Sequence, residues 1–118
     1  MDGRISKRIS VILDGEIISH SRHCSAIVNN ISENGIFVKI PLKEREKKQS
    51  LDLNFFSLKL QLPTGDLVSL NCIKKWSYQH SSGSLIEHIG IEVINPPQQY
   101  KKYLKSLRFP HFKWQYSL

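Results

Sequence analysis

No stretch of these 118 residues is long and apolar enough to span a bilayer, and the opening Met1-Asp2-Gly3-Arg4 leads into no apolar segment of the secretory kind. A cytoplasmic chain is expected. Cysteine is scarce: Cys24 and Cys72 stand far apart and outside any paired spacing, which excludes a disulfide framework and a zinc ribbon and predicts two reduced, packed thiols. There is no Gly-x-Ser-x-Gly elbow, no phosphate-binding loop and no dinucleotide fingerprint, and the 10 acidic residues form no persuasive carboxylate pair. The chain is not expected to be an enzyme. His20, His23 and Cys24 are the side chains nearest to a metal set, but their spacing matches no familiar zinc site, so a polar loop is expected there and no metal.

What is present describes a folded, basic chain of one-domain size. Forty per cent of residues are apolar and 23% charged, with only 5 prolines, which separates it from disordered sequences. Lys and Arg number 17 against 10 Asp and Glu, a formal charge of +7, so anionic partners such as phosphates, nucleic acid or a membrane surface are favoured.

Apolar residues recur mostly at every second position between turn formers, the signature of strands with one face on a core. Ile36, Val38 and Ile40 form one such set; Ile89, Ile91 and Val93 form another. Between Leu51 and Leu62 the phase slips from odd positions (Leu51, Leu53, Phe55) to even ones (Phe56, Leu58, Leu60, Leu62), which calls for a bulge or bend near Phe55-Phe56. Pro63-Thr64-Gly65-Asp66 reads as a turn into a strand from Leu67 to about Tyr78, and Ser81-Ser82-Gly83 as the break before the next. One helix is signalled late, with Asn95 as its cap, Pro96-Pro97 in its first turn and Tyr100, Tyr103, Leu104 and Leu107 as its apolar stripe. Lys101, Lys102, Lys105 and Arg108 mostly occupy its other faces and read as solvated. About six strands and one helix predict an all-β fold, a small antiparallel barrel with the helix across one opening. The run from Lys43 to Lys48 mixes both signs of charge, as a solvated loop does.

Two segments carry candidate anion chemistry. Arg4 and Arg8, four apart before the first apolar strand, each present a planar fork of donors suited to phosphate oxygens or the O6/N7 edge of guanine. Asn30-Ile31-Ser32-Glu33-Asn34-Gly35 joins a strand ending near Ile31 to one beginning at Gly35; Asn30 donates and accepts, Ser32 adds a hydroxyl, and Gly35 permits close approach or a positive φ. Taken separately, each segment also fits ordinary surface and turn residues. The hexapeptide contains an Asn-x-Ser sequon, which matters only in a secretory compartment.

Together the segments resemble the PilZ domain family, the bacterial receptors for cyclic di-GMP. The family's Arg-x-x-x-Arg motif is matched by Arg4-Ile5-Ser6-Lys7-Arg8, and its Asp/Asn-x-Ser-x-x-Gly motif by Asn30-Ile31-Ser32-Glu33-Asn34-Gly35. The likeness continues through Gly35-Ile36-Phe37-Val38, the Leu58 to Leu62 strand with its Pro63-Thr64-Gly65 turn, His88-Ile89-Gly90-Ile91-Glu92-Val93 and the closing helix, and so covers nearly the whole chain.

The resemblance implies a six-stranded antiparallel β-barrel with one C-terminal α-helix (residues 9–108), preceded by a mobile arm (residues 1–8) and followed by an aromatic tail (residues 109–118). It implies that Arg4 and Arg8 hold phosphate and the Hoogsteen edge of guanine, that Asn30 and Ser32 bind guanine and nearby polar atoms, and that Gly35 leaves room for the base. Gly90 and Trp76 would approach the ligand from neighbouring strands, although both also suit plain barrel packing. Position 30 is Asn where many members have Asp, and an amide offers one acceptor oxygen where a carboxylate can accept from both guanine N1–H and N2–H. The implied function is a cyclic di-GMP receptor that orders its arm on the ligand and signals to a protein effector, with no further cofactor and no DNA or RNA partner. Two other readings stand beside it: a basic barrel binding single-stranded nucleic acid on Trp76, Tyr78 and Lys74-Lys75, and a PilZ-fold interaction module that binds no nucleotide.

Overall fold

Alternating side chains fix which face of each strand turns inward, and here the inward faces meet around one axis. The structure, a computed structural model, describes residues 8–20, 22–41, 53–79 and 86–108. The strands are β1 (Ile9–Ser19), β2 (Arg22–Ile31), β3 (Gly35–Pro41), β4 (Phe56–Gln61), β5 (Leu67–Gln79) and β6 (Ile86–Ile94), followed by helix α1 (Gln98–Arg108). They close into a barrel in the order β1-β2-β3-β6-β5-β4, every pair antiparallel. The barrel and closing helix expected from the sequence are both present.

The predicted inward sets form the core. Ile36, Val38 and Ile40 of β3 and Ile89, Ile91 and Val93 of β6 are buried with Ile17, Val28, Leu58, Leu60 and Leu70. Burying a side chain of this size stabilises the fold by roughly 1.5–3 kcal/mol. Cys24 and Cys72 form no disulfide and pack in the same core. Three register shifts bend the wall: between Ser10 and Leu13 in β1, Val28 and Asn30 in β2, and Lys74 and Trp76 in β5. Each inserts extra backbone on one strand and sharpens the local twist, as a small closed barrel requires.

The phase slip before β4 is resolved by a bend. Leu53 and Phe56 are both buried while Phe55, between them, is 71% exposed. Asn54 and Phe55 form the bend, and the Leu53 carbonyl accepts the Lys74 amide at 2.9 Å. Leu51 lies outside the described residues, as do Lys43 to Lys48 and Ser81 to Gly83. The Pro63 to Asp66 turn is as predicted: Gly65, at φ 98°, donates its amide to the Leu62 carbonyl at 2.9 Å, a conformation that a side chain would strain.

The helix starts differently from the sequence expectation. Asn95 sits at φ 49°, in left-handed backbone, and is not the cap. The carbonyl of Pro97 accepts the amides of Tyr100 and Lys101, both at 3.1 Å, so the first helical bonds close on Pro97. Asn95 instead reverses the chain after β6, a conformation Asn tolerates better than most residues. Tyr100 and Leu104 enter the core, Tyr103 and Leu107 pack at its edge, and Lys101, Lys102 and Lys105 are exposed.

Two core groups couple stability to alkaline pH. Burial pushes the Cys72 thiol from 9.0 up to about 12 and also raises the Tyr100 phenol, with the charges of Cys72 and Glu33 adding smaller increments to the latter. Both remain protonated in the folded chain where the unfolded chain has begun to ionise, so the unfolded state binds fewer protons and stability falls as pH rises above about 9. The urea midpoint is expected to be lower at about pH 10.5 than at about pH 8, and Cys72→Ala is expected to remove part of that difference.

Candidate functional site

Ser32 organises the junction between β2 and β3. Its amide donates to the Gly35 carbonyl at 2.8 Å, its hydroxyl donates to the same carbonyl at 3.1 Å, and that hydroxyl accepts the Gly35 amide at 3.0 Å. Ser32 is only 3% exposed, and its own carbonyl accepts the Tyr100 hydroxyl of α1 at 2.6 Å. The Asn34 carbonyl accepts the Val93 amide of β6 at 2.8 Å. A turn whose polar groups are paired on three sides is rigid.

Asn30 reaches the outside of the barrel through the register shift in β2. Val28 and Ile31 are both buried, which an unbroken alternation forbids; the extra residue, Asn29, lets Asn29 and Asn30 leave the core side between them. Arg8, just before β1, donates from Nη1 to Asn30 Oδ1 at 3.1 Å. Its Nη2 lies 3.9 Å from where a Cβ on Gly35 would stand. Arg8, Asn30, Ser32 and Gly35, separated in sequence, thus meet at one place. Gly35 is not among the residues with positive φ, so the freedom it uses is space rather than backbone conformation. Arg4 lies outside the described residues.

Asn30 is cross-strand partner to Ser10 of β1 and Phe37 of β3, Phe37 to Gly90 of β6, and Gly90 to Trp76 of β5. One row therefore runs outward-facing from Arg8 and Asn30 to Trp76. At Gly90 a Cβ would lie 2.7 Å from Trp76 Cζ2 and closer still to Cε2 and Nε1, so the indole rests flat on that strand because position 90 has no side chain. Trp76 does not fill the core; it is 42% exposed on the outer wall.

Three rings complete the wall: Phe37 and His88, which sequence reasoning assigned to no site, and Tyr78, which it placed only on the nucleic-acid platform with Trp76. Phe37 lies 5.5 Å from Trp76 and 5.9 Å from His88, while Tyr78 stacks on His88 at 4.8 Å and lies 5.9 Å from Trp76. The outward phase of β3 and β6 was readable, since Phe37 sits between Ile36 and Val38 and His88 precedes Ile89. That these rings share rows with Trp76 and Tyr78 depends on the β5 register shift, which carries no local signal. Nearby, Lys75 pairs with Glu92 at 3.3 Å, and Glu92 stands opposite Gly35.

No metal set forms among the described residues. Cys24 faces the core, and His23 Nδ1 lies 2.7 Å from Glu16 Oε2. Nor is any described helix long and apolar enough to cross a membrane.

No protein-family model and no curated protein matches this chain. Solved structures do match in shape. The Bacillus subtilis inhibitor of motility, MotI/DgrA, superposes with a TM-score of 0.71 at 16% identity, over 96% of this chain and 53% of that one. The PilZ domain of YcgR from Escherichia coli, with cyclic di-GMP, gives 0.68 at 9% identity, over 96% and 97%. The Borreliella burgdorferi PlzA protein in complex with cyclic di-GMP gives 0.62 at 14%, over 95% and 53%. This chain therefore spans about half the length of two of these proteins and nearly all of the third. The closed six-stranded antiparallel barrel, its helix laid across one end and the course of the chain through them are the fold of a PilZ domain.

Proposed function

We propose that this chain is a receptor for cyclic di-GMP and acts without catalysing a reaction. The observation that carries the reading is the Arg8–Asn30 contact beside Gly35, which joins the two motif segments at one end of an outward row. Two proteins that share the fold are bound to that ligand. From Asn30 to Trp76 the row crosses from β2 to β5, about 15 Å at the usual strand spacing, a span that suits a dinucleotide. Arg8 retains guanidinium donors for phosphate, and the Phe37–Trp76 wall offers aromatic faces for a base. Gly90 serves by letting the indole lie flat.

In this reading residues 1–8 form an arm whose Arg4 joins Arg8 on the ligand, residues 9–108 form the receptor barrel, and residues 109–118 are left for contact with a partner. Binding draws the arm onto the barrel, and the surface so made is read by a protein effector in the cytoplasm. The exposed Trp76 and Tyr78 beside Lys74 are what favour the second reading, a platform for single-stranded nucleic acid.

Calorimetric titration of the purified chain with cyclic di-GMP is expected to give saturable binding and a rise in melting temperature. Arg8→Ala is expected to weaken binding by about tenfold or more, since it removes a charge-assisted contact. Absence of both heat and thermal shift in the unmutated chain at high ligand concentration would sink the receptor reading, and salt-steep binding to oligonucleotides with no preference for the cyclic dinucleotide would support its rival.

Gly90→Ala tests the wall separately. In a Trp114→Phe background, where Trp76 is the remaining indole, the substitution is expected to lift the ring into water and shift its emission to the red. Cyclic di-GMP affinity should fall with it, and unchanged emission would show that the indole does not depend on the missing side chain.

A further inference from the structure

Positive charge is unevenly shared along this chain. Residues 1–92 carry 12 basic and 10 acidic side chains, whereas residues 93–118 carry five basic and none acidic, so +5 of the net +7 stands after Glu92. Helix α1 shows where that charge goes. Its apolar stripe is taken up by the barrel, with Tyr100 and Leu104 buried, and Lys101, Lys102 and Lys105 are left exposed on its other faces. Lys105 lies one turn from both Lys101 and Lys102, and like charges at that spacing weaken a helix unless something anionic stands opposite. Among the described residues nothing does. Glu33 lines the hollow beside these lysines, yet none of the three forms an ion pair with it or with another described carboxylate, as Lys75 does with Glu92.

We infer that this end of the chain docks on an anionic lipid membrane, with the lysine face of α1 set against the headgroups and the aromatic residues that follow it in the interface. The sequence beyond α1 supplies the second half of such a surface. Lys113 continues the charge of Arg108, and Phe109, Phe112, Trp114 and Tyr116 place four of the chain's 11 aromatic residues within eight positions. Trp and Tyr favour the level of the headgroups, and binding there grows with buried apolar area and with attraction to anionic lipid together. Four of the five cations are lysines. A lysine is a point charge that serves diffuse attraction to a surface, whereas recognition of a nucleic acid or a single phosphate draws on the planar fork of arginine. The contact is peripheral, since α1 has 11 residues and no described helix is long and apolar enough to cross a membrane. It needs no cyclic dinucleotide, and so stands or falls apart from the receptor reading.

The test is co-sedimentation of the full chain, at low salt, with vesicles of phosphatidylcholine alone and of phosphatidylcholine mixed equally with phosphatidylglycerol. Only the anionic vesicles are expected to carry the chain down, and raising the salt to about 0.5 M is expected to release most of it by screening. Lys101→Gln, Lys102→Gln and Lys105→Gln combined should weaken binding about a hundredfold, at roughly fivefold for each cation held near the surface. Lys59→Gln, Lys74→Gln and Lys75→Gln combined remove the same charge from β4 and β5 and should weaken it by less than about fivefold. Both triple variants are expected to melt as the parent chain does. With Trp76→Phe in place, Trp114 is the remaining indole, and its emission should move to the blue on anionic vesicles only. Equal binding to neutral vesicles, no binding to anionic ones, equal loss in the two triple variants or an unmoved Trp114 emission overturns the inference. So does a single-stranded oligonucleotide held through the α1 lysines in preference to the vesicles, which would make this face a nucleic-acid site. None of these outcomes alters the calorimetric titration with cyclic di-GMP.

Discussion

A single buried hydroxyl ties this molecule together. Tyr100 is wholly enclosed between the helix and the barrel, and its O–H reaches the carbonyl of Ser32, 68 residues earlier in the chain. Without that bond a phenol and a peptide carbonyl would both be stranded in an apolar interior, at a cost of roughly 1–3 kcal/mol each. Helix docking and the shape of the β2–β3 junction are therefore one requirement. Ser32, held from below, holds Gly35 from the side, and Gly35 sets where β3 enters the wall. A helix that closes a barrel mouth is ordinary packing, but here it also fixes the segment that meets Arg8.

The barrel wall does the rest through its irregularities. A six-stranded cylinder cannot be built from strands of strict alternation, and the extra residues in β1, β2 and β5 fall where the wall must turn. The shift in β2 brings Asn30 outside, and the shift in β5 brings Trp76 into line with Gly90. The outward row from Arg8 to the indole is thus a by-product of closing the cylinder. Its components also differ in rigidity: Ser32 and Tyr100 are locked in the interior, whereas Arg8 is an exposed side chain held at Asn30 by one hydrogen bond.

Much of the fold was legible because burial imposes a period of two on a strand and a period near 3.6 on a helix. The sets from Ile36 to Ile40, from Ile89 to Val93 and from Tyr100 to Leu107 announce their inward faces without any knowledge of their partners. Asn95 misled for a physical reason: Asn suits a helix cap and left-handed backbone equally, and only the chain reversal after β6 decides between them. That the segments of Arg8 and Asn30 share one site was suggested by motif likeness and not by period, and their direct hydrogen bond was not anticipated. Phe37 and His88 were seen only as outward or intervening residues, and Tyr78 only beside Trp76 on a nucleic-acid platform, because the rows they share are set by cross-strand register and bulges, which are properties of pairs of strands and leave no mark on either alone. That the hydroxyl of Ser32 would be taken up by its own turn was likewise invisible until the turn had a shape.

Closure of the cylinder has one more effect. Because β1 pairs with both β2 and β4, the described strands form a ring with no first or last member. Over the stretches paired on both sides the backbone amides and carbonyls are taken up within the wall. Whatever docks there must recognise side chains and surface shape, so specificity in such a contact is written in the outward residues, and exchange of those residues can redirect it without disturbing the hydrogen-bonded frame beneath.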